Sequence, residues 1–262
     1  MREAAGANSE AATAPSAHEQ DPAAYGDAYA DVYDDWYSEI SDVAATVAAL
    51  RDLTPGRRLL ELGVGTGRIA LPLAEAGFTI TGIDASQAML DALRTKPGSD
   101  AIDARLTDMA TLDGVEGPFD IVLVTFNTLF NLTTEAAQIS CLRRVADELA
   151  PLGRFVIEAF VPSPDPEGPE TGEEQRSDGD GGTVVTRTHR DPATQVVDGE
   201  HIHRGADGSE HRRAWRIRYL HIDQLDDLCA QAGLRLVGRW ADWTGAESRD
   251  TSPRHVSAYA LR

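Results

Sequence analysis

The stretch LLELGVGTGRIALPLAEAG, from Leu59 to Gly77, decides the fold. It opens on an apolar run that reads as a strand. Glycines then alternate at Gly63, Gly65 and Gly67, and a helical pattern follows until Gly77 closes it. Glycines in a strand-to-helix turn let the backbone approach a ligand closely. Their spacing excludes two common nucleotide loops. In a G-x-G-x-x-G fingerprint counted from Gly63 the sixth place is Arg68, and counted from Gly65 it is Ala70. No Lys-Ser/Thr pair follows, so this is not a Walker loop.

Working outward, the segment TITGID ending at Asp84 reads as a second strand, and Ser86 caps a helix through QAMLDALRT. A third short strand falls near AIDARLTD. PFDIVLVTF is apolar on both faces, as a central parallel strand should be. A helix over AAQISCLRRVADELA and a fifth strand, GRFVIEAF, continue the alternation. The helix QLDDLCAQAG and the strands LRLVGRWADW and HVSAYAL complete it. Strands alternating with helices predict an α/β fold. The expected core is a doubly wound seven-stranded sheet, mostly parallel, with the last strand antiparallel.

The pattern breaks after Phe160. PSPDPEGPETGEEQRSDGDGG, rich in Pro, Gly and acid, reads as a mobile loop. Three strand-like pieces follow (TVVTRTHR, TQVVDGEHIHR and HRRAWRIRYLHI), separated by turn signals, and predict an antiparallel meander. In the last piece Trp215, Ile217, Tyr219 and His221 share one face, and Arg216 and Arg218 the other. The expected organisation is a disordered tail over 1–20, a core formed by 21–160 and 222–262, and a cap over 161–221. In AYGDAYADVYDDWYSEI, Tyr29, Tyr33 and Tyr37 recur every four residues, so a single helix would stack them on one face. That stripe reads either as packing on the domain or as a lid over a site. Ser41 is placed to cap the next helix, which runs to Leu53.

Composition narrows the function. The 262-residue chain carries a net charge of -19, which repels phosphate backbones and anionic membranes, so nucleic acid and membrane are not expected partners. No apolar run is long enough for a transmembrane helix, and no signal peptide is visible, so a cytoplasmic location is expected. Cys141 and Cys229 read as buried free thiols. The histidines His189, His201, His203 and His211 sit on strand-like pieces with hairpin spacing, so exposure or ring stacking is expected of them and no metal site.

Acidic residues at the strand ends complete a constellation. Asp84 ends the second strand, where a carboxylate accepts hydrogen bonds from ribose hydroxyls. Asp108 and Met109 lie where the third strand ends; an Asp there accepts from an exocyclic amine, and the Met covers an adenine face. Each has a plain alternative: helix capping for Asp84, a solvated loop for Asp108, core packing for Met89. The order and placement together favour a nucleoside site.

In this order, ELGVGTG, GIDASQAML, LTDMATL, PFDIVLV and LAPLGRFVIEAF resemble the successive motifs of class I S-adenosylmethionine-dependent methyltransferases. The resemblance runs from Tyr25 to Arg262. The tyrosine-rich ADVYDDWY and the meander resemble small-molecule enzymes of natural-product pathways, sugar N-methyltransferases included. The resemblance implies S-adenosyl-L-methionine as cofactor. Gly63, Gly65 and Gly67 would line its methionine part, and Asp84 its ribose. Ala85 and Met89 would lie beside the adenine, with Asp108 and Met109 at its edge. Tyr33 would close over the methionine end, with Phe126 nearby. Leu152 stands where the family usually has Gly, in a turn distant from the cofactor.

Ligands of this fold sit at the carboxyl ends of the parallel strands. The substrate-side candidates are therefore Tyr25, Tyr37, Asn127, Asn131, Glu158 and Trp243. His255 and His221 are the candidate general bases, since histidine titrates near neutral pH. The expected activity is methyl transfer to N or O of a small molecule by in-line displacement. The expected partner is a small-molecule methyl acceptor; oligomeric state stays open, a homodimer included. The alternatives are a non-methylating member that uses the fold to shape a pocket, a nicotinamide oxidoreductase, which the missing sixth glycine opposes, and a protein or RNA methyltransferase, which a compact cap and an acidic surface oppose.

Overall fold

A computed structural model describes residues 21–37, 42–177 and 181–262. The expected tail over 1–20 and the Ser41 cap lie outside the described residues. The N-terminal helices are α1 (Ala24–Tyr29), α2 (Tyr33–Tyr37) and α3 (Val43–Leu53). Asp42, not Ser41, caps α3: its side chain accepts from Ala45 N at 2.9 Å. The core continues with β1 (Arg58–Leu62), α4 (Ala70–Glu75), β2 (Thr79–Asp84), α5 (Gln87–Arg94), β3 (Ile102–Leu106), β4 (Phe119–Val124), α6 (Glu135–Glu148) and β5 (Leu149–Phe160). The cap holds β6 (Glu170–Ser177), β7 (Thr183–Asp191), β8 (Val196–Arg204) and β9 (Glu210–Arg218). The chain returns to the core through α7 (Ile222–Gln231), β10 (Leu234–Trp240) and β11 (Arg254–Leu261).

The core sheet has seven strands in the order β10-β11-β5-β4-β1-β2-β3. β1 through β5 pair in parallel, and β11 runs antiparallel to both its neighbours. Two apolar layers sandwich it. Leu60, Leu62, Val122 and Val124 pack toward α6 and α7; Leu59, Ile121, Leu123 and Val156 pack with Leu50, Leu73 and Leu90 on the other face. The strand order reverses beside β1, which pairs with β2 on one side and β4 on the other. That switch point splays the following loops apart and opens a crevice at the strand ends.

The cap is a separate four-stranded antiparallel sheet, β6-β7-β8-β9. The predicted mobile loop therefore contains a strand. β6 escapes a reading by hydrophobic alternation because all its side chains are exposed. It is held by ladder bonds to β7 and by cross-strand ion pairs, Arg187–Glu173 at 2.8 Å and Arg190–Glu170 at 3.5 Å.

Arg218 ties cap to core. Its guanidinium donates to Gln138 Oε1 at 2.6 Å, Glu135 Oε2 at 2.9 Å and Gln195 Oε1 at 3.2 Å, while Gln138 Nε2 donates back to the Arg218 carbonyl at 2.9 Å. Arg218→Ala leaves these buried amides short of partners and is expected to cost about 2 kcal/mol. Urea unfolding checks it; an unchanged midpoint would contradict this role.

The tyrosine stripe is not one helix. Residues 30–32 break it, and Tyr29 turns away from Tyr33. The Tyr29 hydroxyl bonds to His201 and to Arg213 of the cap, and Asp31 pairs with Arg213 at 2.7 Å. Contacts with the distant cap outweigh continuation of the helix. Among the described residues no helix is long and apolar enough to cross a membrane. Cys141 and Cys229 are buried and free; burial pushes the Cys141 thiol up to about 12.

Candidate functional site

The glycine loop leaves β1 with Gly63, Gly65 and Gly67 all at positive φ (69°, 53° and 82°), a conformation only glycine adopts without strain. The three have different surroundings. A Cβ on Gly63 would strike Thr128, and one on Gly67 would strike Leu93; on Gly65 it would meet nothing nearer than Met89 Sδ at 4.0 Å. Gly65 thus faces an open cleft. Its N–H donates to Asp84 Oδ2 at 2.9 Å, and Ser86 N donates to Asp84 Oδ1 at 2.9 Å. Asp84 is thereby locked between loop and α5. Burial nevertheless raises its pKa, against these backbone donors, which lower it.

Beneath the loop lies Glu61, fully buried on β1, with Oε2 lacking any partner. Burial pushes its carboxyl up to about 8; the Arg68 guanidinium pulls it down and Asp84 adds to the rise. Arg68 lies 5.1 Å over the Phe126 ring and hydrogen-bonds Tyr33.

The cleft is narrow and is lined by Pro22, Tyr25, Gly26, Tyr33, Gly63, Gly65, Ile83, Asp84, Ala85, Met89, Thr107, Asp108, Met109, Thr128, Asn131 and Leu132. Asp108 is oriented by its own turn, Oδ1 accepting from Ala110 N at 2.8 Å. The N-terminal helices close one wall. Ser86 Oγ donates to Asp27 at 2.6 Å, Thr66 Oγ1 donates to Asp34 at 2.6 Å, and Lys96, the chain's only lysine, pairs with Asp34 at 2.6 Å.

A second cavity, of about 270 Å³, adjoins the cleft and shares Tyr25, Tyr33, Thr128 and Asn131 with it. Its other walls are Tyr37, Phe126, Asn127 and Phe160 from the core side and His201, Trp215 and Ile217 from the cap. Phe126 and Asn127 both take positive φ, 53° and 65°. This strained pair is held by Asn127 Oδ1, which accepts from Phe160 N at 2.7 Å. It places the Phe126 ring against Tyr37, centroids 5.6 Å apart. Trp215 stands directly across from Gly199 on β8, where a Cβ would overlap its indole ring.

Most of the residues expected from sequence thus gather here: Gly63, Gly65, Asp84, Ala85, Met89, Asp108 and Met109 on the cleft, Phe126, Tyr37 and Asn127 on the second cavity, Tyr25, Tyr33 and Asn131 on both. Gly67 instead packs its loop against Leu71 and Leu93. Four others line neither space. Glu158 is buried within β5, opposite Val256. Trp243 is buried in the apolar layer with Leu50 and Val256 and lines a different groove beside α3.

His255 is buried in β11, its Nδ1 2.8 Å from Ser257 Oγ, and burial with the nearby Arg239 charge lowers its pKa to about 4. Strand alternation puts it on the same face as Ser257 and Tyr259, and it lines neither cavity. His221 caps α7 and rests its Nε2 3.0 Å from Asp165. Pro22, Thr128, His201, Trp215 and Ile217 were not expected. The alternation in β9 put Trp215 and Ile217 on one face, but nothing local to β8 marks His201.

A family model described as a methyltransferase domain matches residues 59–153, from β1 into β5. The cypemycin N-terminal methyltransferase of a Streptomyces species is 34% identical over 179 residues, covering 68% of this chain and 69% of that protein. Among solved structures, the CcbJ methyltransferase from Streptomyces caelestis superposes with a TM-score of 0.84 at 34% identity, over 92% of this chain and 99% of that one. The S-adenosylmethionine-bound amino pentose methyltransferase of Micromonospora echinaspora shares the fold, with a TM-score of 0.66 at 24% identity over 89% of this chain and 96% of that one. Joined to a glycine loop, an acid after β2 and an acid after β3 around one cleft, these likenesses show that the chain belongs to the S-adenosylmethionine-dependent methyltransferase family.

Proposed function

We propose that this enzyme methylates a nitrogen of a small natural-product molecule held in the second cavity, with S-adenosylmethionine in the cleft. The observation that carries the reading is the junction of the two spaces through Tyr25, Tyr33, Thr128 and Asn131. Donor and acceptor would meet there without crossing water.

The residues fit the cofactor. Gly65 leaves open the room that a side chain would fill. Asp84 offers remaining lone pairs to ribose hydroxyls, and Asp108 with Met109 lines the cleft end suited to an adenine edge. Arg68 supplies positive charge suited to a carboxylate, and the orphaned Glu61 Oε2 lies beneath the loop. When bound, the cofactor supplies a sulfonium-activated methyl group. The chain's task is to align the acceptor and exclude water, which the α1–α2 wall and the cap sheet serve.

The lining of the second cavity favours nitrogen. It carries aromatic rings, amides, hydroxyls and the His201 imidazole, but no carboxylate, lysine or cysteine among the described residues. Desolvation in the cavity disfavours a protonated amine relative to the neutral form that attacks. A relative matched over 69% of its length is an N-terminal methyltransferase of cypemycin, while shorter matches include O-methyltransferases of nocamycin and ubiquinone biosynthesis.

Calorimetry is expected to show micromolar binding of S-adenosylmethionine. Release of S-adenosylhomocysteine is expected with a tripeptide bearing a free N-terminus, or with an amino-sugar glycoside, but not with the matched hydroxy compounds. Absence of binding heat would sink the methyl-transfer reading; turnover of the hydroxy compounds alone would sink the choice of nitrogen.

A further inference from the structure

The second cavity holds one imidazole, and its hydrogen bonds define its protonation. Tyr29 Oη lies 2.7 Å from His201 Nδ1 and 3.1 Å from the Arg213 carbonyl oxygen. A carbonyl only accepts, and a tyrosine hydroxyl has a single proton to give. Meeting both contacts therefore spends that proton on Arg213 and requires His201 Nδ1–H to donate to Tyr29. In the neutral ring the other nitrogen, Nε2, then carries a lone pair. His201 lines the acceptor cavity. Nε2 is the ring nitrogen that Tyr29 does not engage.

We propose that His201 is the catalytic proton acceptor of this enzyme, with Tyr29 as the residue that positions it. The proposal rests on the nitrogen reading above. The acceptor's lone pair forms the new N–C bond as the C–S bond breaks, and that electron pair leaves on sulfur. The nitrogen thereby becomes a cation, and its proton passes to His201 Nε2, then to water. One positive charge is lost from sulfur and one gained by the imidazole, so the step balances.

The surroundings suit a base that must start neutral. Burial, with Arg176 and Arg213, holds the His201 pKa below its ordinary value. The nearby carboxylates are already drawn to arginines: Asp31 pairs with Arg213, and Glu200 with Arg212 at 3.2 Å. Burial keeps the Tyr29 phenol protonated. Trp36 and Trp215 rings, 5.6 and 6.0 Å from the imidazole by centroid, flank it on either side. A base, an orienting hydroxyl and a backbone carbonyl in series repeat the logic by which other nucleophile-activating histidines are held in one tautomer.

The test uses the full-length protein with S-adenosylmethionine. Long-range proton–nitrogen NMR, with His201→Asn to assign the signal, is expected to show the Nδ1–H tautomer in the wild type. Tyr29→Phe is expected to move that signal toward Nε2–H. With the tripeptide and amino-sugar probes, His201→Asn should lower kcat about 100-fold at unchanged cofactor affinity. Tyr29→Phe, which retains the ring, should lower kcat several-fold with little effect on KM. An Nε2–H tautomer in the wild type, or a kcat for His201→Asn within about threefold of wild type, would overturn the proposal. Failure of every amine probe despite cofactor binding would instead refute the nitrogen reading, and the tautomer would still decide the state of His201.

Discussion

Asp84→Ala is expected to weaken S-adenosylmethionine binding by at least about 100-fold. Two effects combine. The substitution removes a charged acceptor for ribose hydroxyls, and such hydrogen bonds are worth about 1.5–3 kcal/mol each. It also removes the group that fixes the loop, since Gly65 N and Ser86 N both donate to this carboxylate. The loop then loses its hold on the conformation that faces the cleft. Asp84→Asn, which keeps one acceptor oxygen, should fall between wild type and Asp84→Ala. Because burial raises the Asp84 pKa, affinity should decline on acidification at a higher pH than an ordinary carboxylate would dictate. Calorimetry from pH 5 to 8, with circular dichroism to confirm folding, reads both effects. A dissociation constant for Asp84→Ala within threefold of wild type would remove Asp84 from the site.

Glu61→Gln should stabilise the cofactor-free protein at pH 8.5 and leave it nearly unchanged at pH 5. The folded carboxyl titrates at about 8, against an ordinary value of 4.5. Between those values the native state holds a proton that the unfolded chain has lost, so wild-type stability falls as pH rises through that window and levels off above it. A neutral amide has no such dependence. The difference at pH 8.5 is on the order of 4 kcal/mol, or roughly 10 °C in Tm for a chain of this size. Scanning calorimetry at the two pH values tests it. A saturating cationic cofactor should narrow the gap, because it favours the ionised wild-type carboxylate. Equal Tm differences at both pH values would show that Glu61 titrates normally. Paired with Asp84→Ala, this variant separates two acids of one motif: one expected to hold the ligand, the other to carry a cost that the ligand relieves.

Much of the core was legible because it is locally encoded. An apolar run, a glycine turn and a 3.6-residue pattern are properties of adjacent residues. They placed β1, the loop and α4 from LLELGVGTGRIALPLAEAG, and Asp84 and Asp108 at the ends of β2 and β3. The cap was less legible. β6 has no buried face, so its Pro/Gly/acid composition reads as loop. The tyrosine period predicted one helix, yet the contact of Tyr29 with His201 spans 172 residues and bends the chain between α1 and α2.

Strand ends were foreseeable, and side-chain direction was not. His255 does return to the ligand edge, beside Ala159 of β5, but alternation buries its imidazole against Ser257. Trp243 follows β10 and sinks into the apolar layer beside α3. By itself the sequence determined the fold, the family resemblance and the cofactor loop, because glycine spacing and hydrophobic period are short-range signals. Only the tertiary structure decided which side chains line the second cavity. That cavity is built from α1, α2, the turn after β4, the end of β5 and two cap strands, and their juxtaposition depends on long-range pairing that leaves no local mark on the chain.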